Sequence, residues 1–154
     1  MTKSNKTVLI ITMLTCFLFF KSYAQNLEMH KWKNRVLIVK TLDANSEKYQ
    51  DQIKEFKNST KELIDRKFVL YQIVTKDYVL INYQNNELNH SGKISKKLAE
   101  EILNEKANFE IILIGLDGEI KLKQTEVLMK EDLYKIVDSM PMRKNELRRN
   151  RTKN

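Results

Sequence analysis

Four residues of this 154-residue chain combine a charge with a position from which a ligand could be held: Arg35, Asp43, Asp117 and Arg143. A guanidinium is planar and clamps a carboxylate or phosphate with two parallel bonds, and Arg35 and Arg143 each flank an apolar segment. The competing use is internal pairing, on Asp117, Asp138 or helix-end carbonyls, which is the usual fate of a flanking arginine. Asp43 lies in Leu42-Asp43-Ala44-Asn45-Ser46, just ahead of a helical pattern. There Asp43, Asn45 and Ser46 are the residue types that cap a helix amino terminus. Asp117 belongs to the turn Gly115-Leu116-Asp117-Gly118. A non-thiol enzyme would need Asp43, Arg35 and Arg143 brought to one pole.

Other chemistries are poorly provided for. His30 and His90 are the only two histidines, with Glu28 and Glu87 as their nearest carboxylates in sequence. A zinc site needs further close ligands, so no metal and no cofactor is expected. There is no glycine-rich phosphate loop, zincin motif or nucleophile elbow. The single cysteine, Cys16, stands in the first apolar run. Trp32 reads as an anchor for packing whose ring N–H finds a local partner.

The elements that must position these residues follow from periodicity. Arg35 to Thr41 is a short continuous apolar run, the pattern of a strand covered on both faces. Tyr49, Ile53, Phe56, Thr60, Leu63 and Ile64 recur at helical spacing and predict one helix with one buried stripe. Phe68 to Val74 predicts a second strand, and Tyr78 to Tyr83 a short further one. The polar, asparagine-rich stretch from Gln84 to Gly92 reads as a loop. Ile94, Leu98, Ile102 and Leu103 mark a second helix, and Phe109 to Ile114 another fully apolar strand. Asp117-Gly118 turns the chain back into an alternating strand whose Lys121 and Lys123 suit an edge. Leu133, Ile136, Val137 and Met140 line a last helix, ended by Pro141.

A continuous apolar first strand must cross over through its helix to a parallel neighbour, whereas the Asp-Gly turn forces an antiparallel pair. The expected fold is therefore α/β, a thioredoxin-like mixed sheet in the order β-α-β-α-β-β-α with helices on both faces.

Residues 1–24 have the parts of a secretory leader: Lys3 and Lys6, an apolar run of 13 residues from Val8 to Phe20, and Ser22-Tyr23-Ala24 behind it. The run falls short of the roughly 20 residues that span a bilayer. Thr15 precedes Cys16 and Phe17 follows it, which does not suit lipid attachment. Cleavage after Ala24 would discard the only thiol, and no disulfide could then form within the remaining chain. The expected organisation is a signal peptide at 1–24, a domain at 25–141 and a basic tail at 142–154. The net charge of +8 is unevenly placed: between Gln25 and Pro141, 19 Lys and Arg balance 19 Asp and Glu, while six basic residues and one acid follow Pro141. The domain is neutral and the tail cationic.

Three segments carry a resemblance to a known family. Trp32-Lys33-Asn34-Arg35 before the first strand, Ile114-Gly115-Leu116-Asp117-Gly118 with Lys121, and Met140-Pro141-Met142-Arg143 at the last helix end resemble domain-of-unknown-function family 4174. The likeness spans about Leu27 to Leu147. It implies a small secreted bacterial protein with a thioredoxin-like, distantly peroxiredoxin-like fold, related to modules of sushi-repeat and coiled-coil-domain-containing extracellular proteins. Lys40-Thr41-Leu42-Asp43 departs from relatives that often carry an aromatic and a proline there, and Leu116 stands where a lysine is common.

Thioredoxin-like enzymes place reactive cysteines between the first strand and first helix, where the helix amino terminus lowers the thiol pKa. Here that position holds Asp43, Ala44 and Asn45, so disulfide exchange and peroxide reduction lack a nucleophile. The expectation is an exported, periplasmic or extracellular, non-catalytic module that binds an envelope protein or an anionic envelope component. The alternatives are an enzyme of unrecognised non-thiol type and polyanion binding by the basic tail. Specific nucleic-acid recognition is not expected, since no aromatic is interleaved with the basic residues to stack bases. No transmembrane segment is expected after leader cleavage.

Overall fold

The computed structural model describes residues 27–151. The expected leader and Cys16 lie outside them. A 3-10 turn at Leu27–His30 precedes β1 (Arg35–Thr41), α1 (Glu47–Phe56), α2 (Thr60–Asp65), β2 (Phe68–Val74) and β3 (Asp77–Asn82). There follow β4 (His90–Lys93), α3 (Lys96–Glu101), β5 (Phe109–Ile114), β6 (Ile120–Gln124), α4 (Lys130–Ser139) and α5 (Pro141–Arg151).

Among the described residues the strands form one sheet in the order β4-β3-β2-β1-β5-β6. β1 and β2 run parallel because α1 and α2 carry the chain over one face between them. The other neighbouring pairs are antiparallel. The run β2-β1-β5-β6, with β5 reversed beside β1, is the thioredoxin-like α/β arrangement, and the β3-β4 hairpin widens it beyond β2.

β1 and β5 are buried along their whole length, which is why their sequences do not alternate. Leu37, Val39, Phe68, Leu70, Ile111 and Leu113 meet Tyr49 and Phe56 of α1, Leu63 of α2, and Leu133 and Val137 of α4 on one face. Val36, Ile38, Val69, Tyr71, Ile112 and Ile114 meet Leu98 of α3 and Leu103 on the other. The α/β expectation with helices on both faces is met by these two cores.

Several elements differ from the sequence reading. The single helix expected from Tyr49 to Ile64 is two, broken at residues 57–59, where the Ser59 N–H donates to the Phe56 carbonyl at 3.1 Å. Phe56 and Leu63 still reach the same core, so the apolar spacing runs across the break. The segment read as a loop from Gln84 to Gly92 contains a 3-10 turn at Asn86–Leu88 and the start of the edge strand β4. The short strand expected at Tyr78 to Tyr83 is present, as β3 at Asp77–Asn82, antiparallel to β2. The residues from 142 onward, read as a tail, continue in α5 as far as Arg151. Met140 is extended (φ −67°, ψ 140°), as a residue before proline prefers, and Pro141 then opens the new helix. No described helix is long and apolar enough to cross a membrane.

Candidate functional site

The four candidate binding residues fall into three places. Asp43 follows the carboxyl end of β1, exposed, and its Oδ1 accepts the Asn45 N–H at 2.9 Å in a local turn. Ser46 occupies the N-cap of α1 without capping through its side chain; its hydroxyl lies 3.2 Å from Thr41 Oγ1 instead. Lys40, buried just before Thr41, donates to the carbonyls of Asn104 (2.8 Å) and Ala107 (2.5 Å). The loop entering β5 is thus fixed by an ammonium group. Asp117 sits in the β5-β6 turn at the other end of the sheet, where Lys121 donates to it at 2.7 Å. Burial would raise the Asp117 carboxyl, but Lys121 and the turn amides hold it below its ordinary value.

Arg35 and Arg143 do come together, and they are only 1% and 2% exposed. Arg35 donates to the Arg66 carbonyl (2.9 Å) and to Glu146 Oε2 (3.3 Å). Arg143 donates to the Asp65 carbonyl at 2.9 Å, to the Asp65 carboxylate, and to Asp138 Oδ1 at 3.2 Å. Arg66 takes both oxygens of Asp138, at 3.1 and 2.6 Å, and Lys67 lies 3.2 Å from Glu146. Burial works to raise the Asp138 carboxyl, yet the bonds from Arg66 and Arg143 outweigh it and lower its pKa. These charges face one another and tie α5 to the end of α2. Asp43, Arg35 and Arg143 therefore do not share a pole, and the internal pairing of Arg143 with Asp138 is present.

A different set of residues converges on a pocket of about 630 Å³ on the face of the sheet that α3 covers. The strand register builds it: Tyr71 on β2 stands opposite Leu80 on β3, and Leu80 opposite His90 on β4. Tyr78, Leu80 and Asn82 alternate onto one face of β3 and all line the pocket. The turn at Leu27–His30 closes one side and brings in a buried His30.

Four rings follow one another through this wall. His30 and Tyr71 meet edge to face with centroids 5.7 Å apart, Tyr71 and Tyr78 are tilted at 5.7 Å, and Tyr78 and His90 meet edge to face at 5.6 Å. Such geometries suit the quadrupoles of the rings. Gly92 makes the Tyr78 position possible, since a Cβ there would stand 3.1 Å from Tyr78 Cε1. His30 Nε2 is 2.8 Å from the Tyr71 hydroxyl, and its Nδ1 is 3.4 Å from Asn34 Oδ1. Asn34 Oδ1 can only accept, which favours the Nδ1–H tautomer with Tyr71 donating to Nε2. Burial lowers the His30 pKa from 6.5; the Asn34 bond opposes the shift, while His90 and Lys33 reinforce it. Burial likewise drives the Tyr71 phenol far up, so its proton is retained.

Residues 26–146 match the family described as Domain of unknown function (DUF4174). The chain belongs to the DUF4174 family. Comparison with curated proteins and with solved structures found no match. In this DUF4174 chain the sequence reading missed the pocket, because His30 and His90 are far apart in the chain and meet it only through the turn at Leu27–His30 and the β3-β4 pairing. The one sequence signal was that these are the only histidines present. Trp32, read as an anchor for packing, is 62% exposed in a left-handed backbone (φ 65°), beside the pocket residue Lys33. Among the described residues no group of three or more His, Cys, Asp or Glu gathers as a metal site would require.

Proposed function

We propose that this is an exported, non-catalytic thioredoxin-like module that uses the pocket lined by His30, Tyr71, Tyr78 and His90 to bind a small molecule or the side chain of an envelope partner. The observation that carries the reading is the convergence of four rings on one concave site, away from the thioredoxin reactive position. Pockets with an apolar wall and a few convergent polar groups are where proteins bind small ligands. At the reactive position Asp43, Ala44 and Asn45 replace the thiols, and the nearby polar groups are engaged in turns. Export is supported by the lysines, apolar run and Ser22-Tyr23-Ala24 of the leader pattern.

The test is a titration of the isotope-labelled full chain with a mixed panel of neutral, cationic and anionic fragments, followed by amide NMR shifts. Shifts converging on β3, β4 and residues 27–34 support the reading. Shifts centred on Asp43 to Ser46, or none at all, count against it.

A further inference from the structure

We propose that the occupant of this pocket is a planar ring carrying an anion, of the aromatic carboxylate class. The proposal rests on the pocket being the binding site, and deepens that reading. Its first support is the sign of the hydrogen-bonding capacity left in the pocket wall. Asn82 Oδ1 accepts the backbone N–H groups of Gln84 and Asn85 at 3.0 and 3.1 Å, and Asn89 Oδ1 accepts the Asn82 N–H at 2.6 Å. A backbone N–H can only donate, so the atom it meets on each side chain must be the carbonyl oxygen. What Asn82 and Asn89 retain for a ligand is their NH2 group, a donor. The Tyr78 hydroxyl makes no hydrogen bond with the described residues, although the ring is buried.

Charge points the same way. Lys33 and Lys93 line the pocket, Lys93 being shared with Asp77 at 2.8 Å, and Glu87 is the only carboxylate among the lining residues. Two ammonium groups and two amide NH2 groups stand against one carboxylate in the lining, which suits a carboxylate ligand, since charge-assisted bonds to an anion are the strong ones.

The rest of the wall sets the body of the ligand. Tyr71 and Tyr78 form a ring-lined side, while Met29 and Leu88 are 52% and 51% exposed at the rim. A bare inorganic anion would leave that apolar surface wet, and an uncharged hydrocarbon would leave the donors without acceptors. A flat ring bearing one carboxylate satisfies both, and the volume of about 630 Å³ admits it.

Three probes of nearly the same shape separate these terms: benzoate, benzamide and benzylamine, titrated into the full chain at neutral pH with amide NMR detection. Benzoate is expected to shift Asn82, Asn89, Ser91 and Gly92 and to bind about tenfold more tightly than benzamide, with benzylamine weakest. The exposed Lys33→Gln change is expected to weaken benzoate about two- to fivefold and to leave benzamide unchanged. Benzamide or benzylamine binding as tightly as benzoate overturns the anion inference while leaving the pocket as the site. No shift from any of the three also overturns it, and the mixed fragment panel then decides separately whether the pocket binds at all.

Discussion

His30 Nε2 stands 2.8 Å from the hydroxyl of Tyr71, and both side chains are buried beneath the pocket. The pair needs a neutral imidazole, because Nε2 accepts the phenol proton. Unfolded, His30 titrates near its ordinary 6.5; folded, burial holds it lower, so between the two values the unfolded chain carries the extra proton. The stabilisation is therefore complete above pH 6.5 and is lost as pH falls through the lowered folded value. Thermal midpoints of the natural chain should drop on acidification below that point, and those of His30→Gln should drop much less. Parallel curves for the two proteins would refute the assignment. Tyr71→Phe, which leaves Nε2 buried without its donor, should cost about 1–3 kcal/mol at neutral pH.

Arg143 joins α5 to the rest of the domain through Asp65 and Asp138. Arg143→Met removes the bonds to Asp65 and Asp138 while both carboxylates stay partly solvated and Asp138 keeps Arg66, a change expected to cost about 1–3 kcal/mol by urea unfolding. Arg143→Lys should recover only part, since an ammonium cannot bridge two carboxylates with fixed fork geometry. The Asp138 carboxyl is held below its ordinary 3.8, so its contribution is present above that pH and lost as pH falls through the lower folded value. Asp138→Asn should make stability less sensitive to acid in that range, and an unchanged acid transition would count against the network.

Lys40 holds the carbonyls of Asn104 and Ala107, two acceptors in the loop that enters β5. Lys40→Met keeps the buried stem but removes the donor, so residues 104–108 should exchange their amide hydrogens faster. The expected loss of global stability is about 1–3 kcal/mol. Unaltered exchange in that loop would show that the two bonds do not hold it.

The parts of this fold that were legible in the sequence are those governed by local chemistry. β1, β2 and β5 are runs dominated by aliphatic and aromatic residues, and each occupies the span its composition predicted. β4 was hidden because His90, Ser91, Gly92 and Lys93 have no apolar alternation; it pairs only because β3 presents an edge. α5 was hidden for a related reason, having almost no apolar stripe and being docked by Arg143 and Glu146. Arg35 and Arg143 were recognisable as unusual by type, yet their meeting depends on α5 folding back, which no spacing reveals. The pocket needed two such non-local facts at once, the β3-β4 pairing and the turn carrying His30.

Gly92 is where the pocket wall is least tolerant. Its added Cβ would press on the Tyr78 ring at 3.1 Å, across the β3-β4 pair in which the two residues stand opposite each other. Gly92→Ala should displace Tyr78 and weaken its edge-to-face contact with His90, at a cost of about 1–3 kcal/mol for overpacking. Ring-proton shifts of Tyr78 and His90 measure this directly, and unmoved resonances would mean that the strand yields instead.

Thr75 carries a different strain. It is β-branched yet sits at φ 55° in the two-residue turn between β2 and β3, where Val74 pairs with Asp77. A left-handed backbone brings Cβ toward the following carbonyl, a cost of roughly 1–2 kcal/mol that glycine escapes. Glycine is the residue hairpin turns favour at such a position, though its looser unfolded chain offsets part of the gain. The exposed side chain gives up only its hydroxyl bond to the Val74 carbonyl at 2.7 Å. Thr75→Gly is therefore expected to raise stability by up to about 1 kcal/mol, seen as a higher urea midpoint with an unchanged slope. A lower midpoint would show that the Thr75 side chain supports the hairpin more than its backbone strains it.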